Sequence, residues 1–230
     1  MNAMRKWSIA FLLTVLAVAV SYVWLDRPIA LFAHDRLQHQ NLFAKLPYLP
    51  EIVTPLLLLA FAAIGLRALI GRPLRKLLTV IVLAAASVAV TEAVKDQLKI
   101  AFGRTWPETW VRDNPSFIRD GVYGFHPFHG GPGFAAFPSG HTAAICAVMS
   151  VLWICYPRFR VLYAAAIGAV AVGLVGADFH FLGDVIAGGF LGISIGWITV
   201  TLWELGQRRV SASSDPRARG EASSCGEASS

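Results

Sequence analysis

Six stretches of the chain are apolar almost without interruption, at residues 8–25, 52–70, 77–94, 141–156, 161–177 and 182–203. Each is at or near the ~20 residues that a helix needs to cross the hydrocarbon core of a bilayer. The pattern therefore predicts an all-α polytopic membrane protein, a bundle of six transmembrane helices. The fourth and fifth runs are short, which leaves five crossings as the alternative. Two polar segments interrupt the pattern. Residues 26–51 mix charges with enough apolar positions for a short helix along the membrane surface, which makes His34 and His39 interfacial. Residues 95–140 are rich in Gly, Pro, aromatic and charged residues; a loop of that length points to function, and its aromatic content to order. After Arg209 the chain turns to "SASSDPRARGEASSCGEASS", too polar to bury itself. The expected organisation is a membrane domain over residues 1–209 and a disordered tail over 210–230.

Composition agrees with this reading, since 56% of the 230 residues are hydrophobic and 15% charged. Charge adds an orientation. Six crossings put both ends on one side, and that side carries twelve basic and four acidic residues, a net +8; the other side carries eight basic and ten acidic, a net −2. Basic residues are retained on the cytoplasmic side, so both termini are expected there. The overall +6 is then a topology signal, and nucleic acid is not an expected partner. The segment "MRKW" with the following apolar stretch and "AVA" at 17–19 also resembles a secretory signal. Because the run continues to Leu25, a retained first helix is expected. Cys146, Cys155 and Cys225 show neither a disulfide framework nor metal-ligand spacing.

On this topology three polar clusters fall at helix ends on the outer face: "KIAFGRTWP" at 99–107, "PSGHT" at 138–142 and "HFLGD" at 180–184. In "PSGHT", Gly140 permits close backbone approach, while Ser139 and the free amides of a helix start can donate to an anion. His141 in the first turn would serve as proton donor beside such an anion. A plain capped helix start with an interfacial histidine fits the same residues. His180 and Asp184, four apart, share one helical face, where a carboxylate can fix the imidazole tautomer and free the other nitrogen as nucleophile or base. A capping pair is the alternative. Lys99 and Arg104 place cations on the outer side and invite an anionic ligand; lipid headgroups, or ion pairs among Glu92, Lys95, Asp96 and Lys99 at helical spacing, would also account for these charges. Together the clusters contain the parts that phosphoryl transfer through a phosphohistidine needs, without a metal or cofactor.

The motifs and their order, from Lys99 to Asp184, resemble the type 2 phosphatidic acid phosphatase superfamily. Its signature is Lys, six residues, Arg-Pro; then Pro-Ser-Gly-His; then Ser-Arg, five residues, His, three residues, Asp. The resemblance implies six helices, His180 as nucleophile, Asp184 orienting it and His141 protonating the leaving group. It also implies a phosphate held by Lys99, Ser139 and the Gly140 amide. Two positions depart from the signature: Trp106 stands where the first motif has arginine, and Gly173-Leu174 where the third has Ser-Arg. Each missing cationic contact would cost a transition state about 3 kcal/mol. The expected substitute is Arg104 turned into the site, helped by Arg112, Arg119, His126 or His129, with Asp178 pairing one of these cations.

The implied activity is an integral membrane lipid phosphatase at the periplasmic face of a bacterial inner membrane, with a lipid phosphomonoester or diphosphate as substrate. Phosphatidylglycerophosphate, phosphatidic acid, undecaprenyl diphosphate and lipid A phosphates all fit. The alternatives are a lipid phosphotransferase and a catalytically impaired lipid-binding protein. A soluble vanadate-dependent haloperoxidase would need the complete cationic cradle. Finally, Gly188, Gly192 and Gly196 form a stripe at four-residue spacing that allows close helix packing between subunits or, as expected here, inside the bundle.

Overall fold

The computed structural model describes residues 3–37, 40–71, 75–110 and 113–213. Helix α1 (Ala3–Val20) passes through a five-residue π turn (Ser21–Leu25) into α2 (Asp26–Arg36). Then come α3 (Asn41–Lys45), α4 (Tyr48–Leu69), α5 (Lys76–Phe102), α6 (Phe117–Asp120), α7 (Gly140–Cys155), α8 (Arg160–Gly176) and α9 (Leu182–Ser213). Among the described residues there are no strands, only three isolated bridges that pin the 103–139 loop to itself: Arg104 with Phe125 and Ala135, and Trp106 with Ser116.

All six apolar runs are helical. Among the described residues, five helical stretches are long and apolar enough to cross a membrane: Met4–Arg36, Asn41–Leu69, Lys76–Phe102, Pro157–Gly176 and Leu182–Ser211. At 16 residues α7 is shorter, about 24 Å at 1.5 Å per residue. It is also the central helix, packing against α9, α5, α8 and α4. Val80, Leu83 and Val88 of α5 meet Val148 and Val151 of α7 and Val200 of α9 in one core cluster; Ile145 and Cys146 of α7 meet Val170 and Leu174 of α8 and Val185 of α9 in another. Outward-facing positions such as Leu12, Leu16, Leu59, Leu66, Val161 and Leu202 remain exposed and apolar, as a lipid-facing surface requires.

Two boundaries differ from those the hydropathy pattern predicts. The expected surface helix is continuous with the first apolar run: the backbone stays right-handed through Ser21–Asp26, and a π turn in which the Asp26 N–H reaches the Ser21 carbonyl lies just before Pro28, where the regular bonding pattern would otherwise be broken. Helix α5 runs eight residues past Val94, so Lys95 and Lys99 are helical; the charges of "EAVKDQLK" at helical spacing carry it on. Gly103 then stops it in a left-handed conformation (φ +57°), donating its N–H to the Lys99 carbonyl at 2.9 Å. A Cβ at this position would lie 1.9 Å from the His126 carbonyl oxygen, so the 103–139 loop folds back directly over the glycine. Helix α9 continues to Ser213; His39, Arg112 and residues 214–230 lie outside the described residues.

The glycine stripe packs α9 onto α7. A Cβ at Gly188 would meet the Ser139 carbonyl oxygen at 2.4 Å, one at Gly192 the Ala143 carbonyl oxygen at 2.1 Å, and one at Gly196 the Ser150 hydroxyl at 1.9 Å. This contact sets the beginning of α9 beside the beginning of α7, where the polar clusters meet.

Candidate active site

Lys99, Gly140, His141 and His180 line one cavity of about 480 Å³, formed between α4, α5, the start of α7 and the loop before α9. Ser139 caps α7, its hydroxyl accepting from the Thr142 amide at 3.4 Å, and its own amide donates to the Asp184 carbonyl at 3.0 Å. Its side chain is buried and is not among the residues lining the cavity, so what α7 offers there is the Gly140–His141 backbone rather than the Ser139 hydroxyl. Those two amides precede the first intrahelical hydrogen bond, which Ala143 makes to Ser139.

Asp184 caps α9 and stands beside His180. One carboxylate oxygen accepts from the Phe181 amide at 3.0 Å, capping α9 by reaching back from its first turn. The same oxygen lies 3.5 Å from His180 Nδ1, an ion-pair contact longer than a good hydrogen bond. His180 is 4% exposed and its ring stands 5.1 Å, centroid to centroid, from Trp106. Desolvation lowers the pKa of this histidine against the opposing pull of Asp184, which keeps the imidazole neutral at neutral pH. With Nδ1 facing Asp184, Nε2 is the nitrogen left for chemistry.

Arg104 does not turn into the cavity. It is completely buried behind Asp184: Nη1 donates to Asp184 Oδ1 and Nη2 to Asp26 Oδ2, each at 2.5 Å. Asp26 Oδ1 in turn accepts from the Gly183 amide at 2.9 Å. The guanidinium sits among the rings of Tyr22, Tyr123, Phe125 and Phe181, at 4.7–5.6 Å from their centroids. Burial opposes its charge, but the carboxylates of Asp184 and Asp26 outweigh that, and its pKa lies above the ordinary value. The physical reason for the departure from expectation is Asp26. Two buried carboxylates attract the arginine more strongly than an open, hydrated cavity can.

Arg112 lies outside the described residues, and the other expected substitutes stay away as well. Arg119 pairs with Asp113 and Asp120 on the exposed loop, and His126 and His129 pack against Phe134, edge-on and tilted respectively. Among the described residues, Asp178 pairs with none of these cations. It is 1% exposed, in a left-handed conformation (φ +56°), with His34 Nδ1 3.6 Å from its carboxylate and 3.3 Å from that of Glu108. Desolvation, with Glu108 and Asp35 adding to it, pushes the Asp178 carboxyl up to about 7. Leu174, at the second departure from the signature, is fully buried in the core. At the neighbouring Gly173 a Cβ would lie 2.6 Å from Leu46 and 2.9 Å from Pro47, so the α3–α4 turn occupies the space next to it.

The cavity also takes in residues that the sequence did not single out. Glu51, in the first turn of α4, lines the cavity and meets His141 Nε2 at 3.1 Å. Lys95, one helical turn before Lys99, lines it too and bonds Glu92 at 2.5 Å; its four-residue spacing from Lys99 was the available clue. Trp106 and Trp110 form an aromatic wall, with Lys99 Nζ 5.8 Å from the Trp106 ring centroid. Among the described residues, no group of three or more His, Cys, Asp or Glu side chains is arranged to hold a metal ion.

Comparison with known proteins places this architecture. The chain is 33% identical over 103 residues to a lipid A 1-phosphatase of Rhizobium etli and 34% identical over 91 residues to one of Rhizobium johnstonii. These matches take in 45% and 40% of this chain, and the chain spans only 40% and 34% of the length of those relatives. A crystal structure of a transmembrane PAP2-type phosphatidylglycerolphosphate phosphatase from Bacillus subtilis superimposes with a TM-score of 0.55, covering 86% of this chain and 96% of that one at 17% identity, a likeness of fold. The sequence model of the PAP2 superfamily matches residues 74–207, more than half of the chain and all three polar clusters, and the chain belongs to that superfamily.

Proposed function

We propose that this protein is a membrane lipid phosphatase that works through a phosphohistidine and needs no metal. His180 Nε2 attacks phosphorus while the bond to the lipid oxygen breaks, and His141 gives that oxygen its proton. Water, losing a proton to His141, then attacks the phosphohistidine; the N–P bond breaks and free phosphate leaves. Asp184 orients His180, and Arg104 with Asp26 holds Asp184. Lys99 and the first amides of α7 carry the charge of the phosphoryl oxygens. The observation that carries this reading is the single cavity shared by His180, backed by a buried carboxylate, and the His141–Gly140 helix start. We place that cavity on the periplasmic side of a six-crossing bundle, with both termini cytoplasmic. The phosphate on a lipid A headgroup is the first substrate to test, since two relatives bear that name.

The test is phosphate release from lipid A, phosphatidylglycerophosphate, phosphatidic acid and undecaprenyl diphosphate by detergent-purified protein with chelator present. Wild type is expected to turn over, and His180→Ala to lose at least about a thousandfold in kcat. The attacking imidazole must be neutral and its pKa is lowered, so the acid limb of the pH profile should have its midpoint below 6.5. Equal release by His180→Ala, or no release from any lipid, defeats the reading.

A further inference from the structure

The cavity is short of positive charge. Arg104 is committed to Asp184 and Asp26 behind the cavity, and among the described lining residues the basic groups are Lys95, Lys99, His141 and His180. Lys95 occupies the place a phosphate-binding cation would need. A Cβ built on Gly140 would lie 3.0 Å from Lys95 Cδ and 3.5 Å from its Nζ, so the lysine stem and its ammonium lie against the glycine that opens α7. The side chain is only 12% exposed. Its present partners are the more open ones: Glu92, at 2.5 Å, is 36% exposed and Asp96, at 3.2 Å, is 64% exposed. A lysine that served only a surface ion pair would extend towards solvent with its stem free, whereas this one is pressed onto the helix start.

We infer that Lys95 is a phosphate-binding residue of the active site, acting with Lys99 one turn further on as a pair of ammonium groups facing the amides of Gly140 and His141, and that Glu92 holds it until the phosphate arrives. The inference rests on the lipid-phosphatase reading of this cavity. A phosphoryl group seated at the start of α7 offers Lys95 a more highly charged acceptor than one carboxylate, close to amides that a lysine cannot itself satisfy. Glu92 therefore competes with the ligand for the same ammonium. The two residues should shift affinity in opposite directions, which an ordinary structural ion pair would not do.

Calorimetric titration of the full chain in detergent with inorganic phosphate reads this directly and independently of turnover. Lys95→Met is expected to weaken phosphate binding by about ten- to a hundredfold, Lys95→Arg to stay within about threefold of wild type, and Glu92→Gln to tighten binding severalfold. Lys76→Met, at the far end of α5 beside Tyr156, is the control and should bind as wild type does. The inference is overturned if Lys95→Met binds phosphate like wild type, if Glu92→Gln weakens binding as Lys95→Met does, or if wild type binds no phosphate. Phosphate binding that depends on Lys95 in a protein that releases none from any lipid would sink the phosphatase reading and leave the anion site standing.

Discussion

Arg104 shows how much one side chain's direction matters. Its guanidinium joins Asp26, at the end of the first apolar run, to Asp184, behind the proposed nucleophile, across 78 and 80 residues of sequence. Removing it leaves two buried carboxylates facing each other, a change that costs about 3–5 kcal/mol. Arg104→Met should therefore lower the thermal midpoint in detergent strongly, and Arg104→Lys should not restore it, since a single ammonium cannot span both carboxylates in the same geometry. The charge also acts on His180. With the arginine gone, Asp184 holds an imidazolium more strongly, so in any variant that stays folded the acid limb of activity should move to higher pH. A lower midpoint with an unmoved pH profile would confine Arg104 to a structural role. An unchanged midpoint would contradict its placement.

At the scale of elements, the contact of α9 with α7 fixes the site. Gly192 faces the Ala143 carbonyl so closely that a methyl group would sit 2.1 Å from it, and the helices would have to part. Gly192→Ala should destabilise the protein by about 1–3 kcal/mol, and it should reduce turnover as well, because the starts of α7 and α9 carry His141 and His180 on either side of this contact. Gly206, on the same helix, has nothing within 4 Å of a built Cβ; Gly206→Ala should be neutral or slightly stabilising. Comparing the two by thermal unfolding separates close packing from helix propensity, and equal effects would contradict the α7–α9 contact. The extension of α5 past its apolar run belongs to this scale too. It puts Lys95 and Lys99 on a rigid helix rather than on a loop, and a rigid helix holds ammonium groups in register with α7.

For the whole molecule, the open question is orientation. Charge predicts that the turn at Pro157–Phe159, with Arg158, is cytoplasmic and that the 103–139 loop, with His129, is periplasmic. In a background without native cysteines, His129→Cys should react with a membrane-impermeant thiol reagent added to spheroplasts, and Arg158→Cys only after the membrane is opened. The reverse pattern would invert the topology, and labelling of both from one side would remove the crossing of α7. Helix α7 is the one to watch. It is short for a bilayer, but it is surrounded by α4, α5, α8 and α9, so its ends need not meet lipid.

The sequence by itself determined the helices and the order of the polar clusters, because apolar run length, helical spacing and capping residues are properties of neighbouring positions. From these, the membrane character, the all-α class and the approach of the three polar clusters to one face could be read. The tertiary structure alone decided which charge pairs with which. Asp26 draws Arg104 away from the cavity, Glu51 reaches His141 and Lys95 lies on Gly140, each partner coming from a helix distant in sequence. In a low-dielectric bundle a buried charge takes whichever partner packing places within reach, and no local pattern encodes that choice.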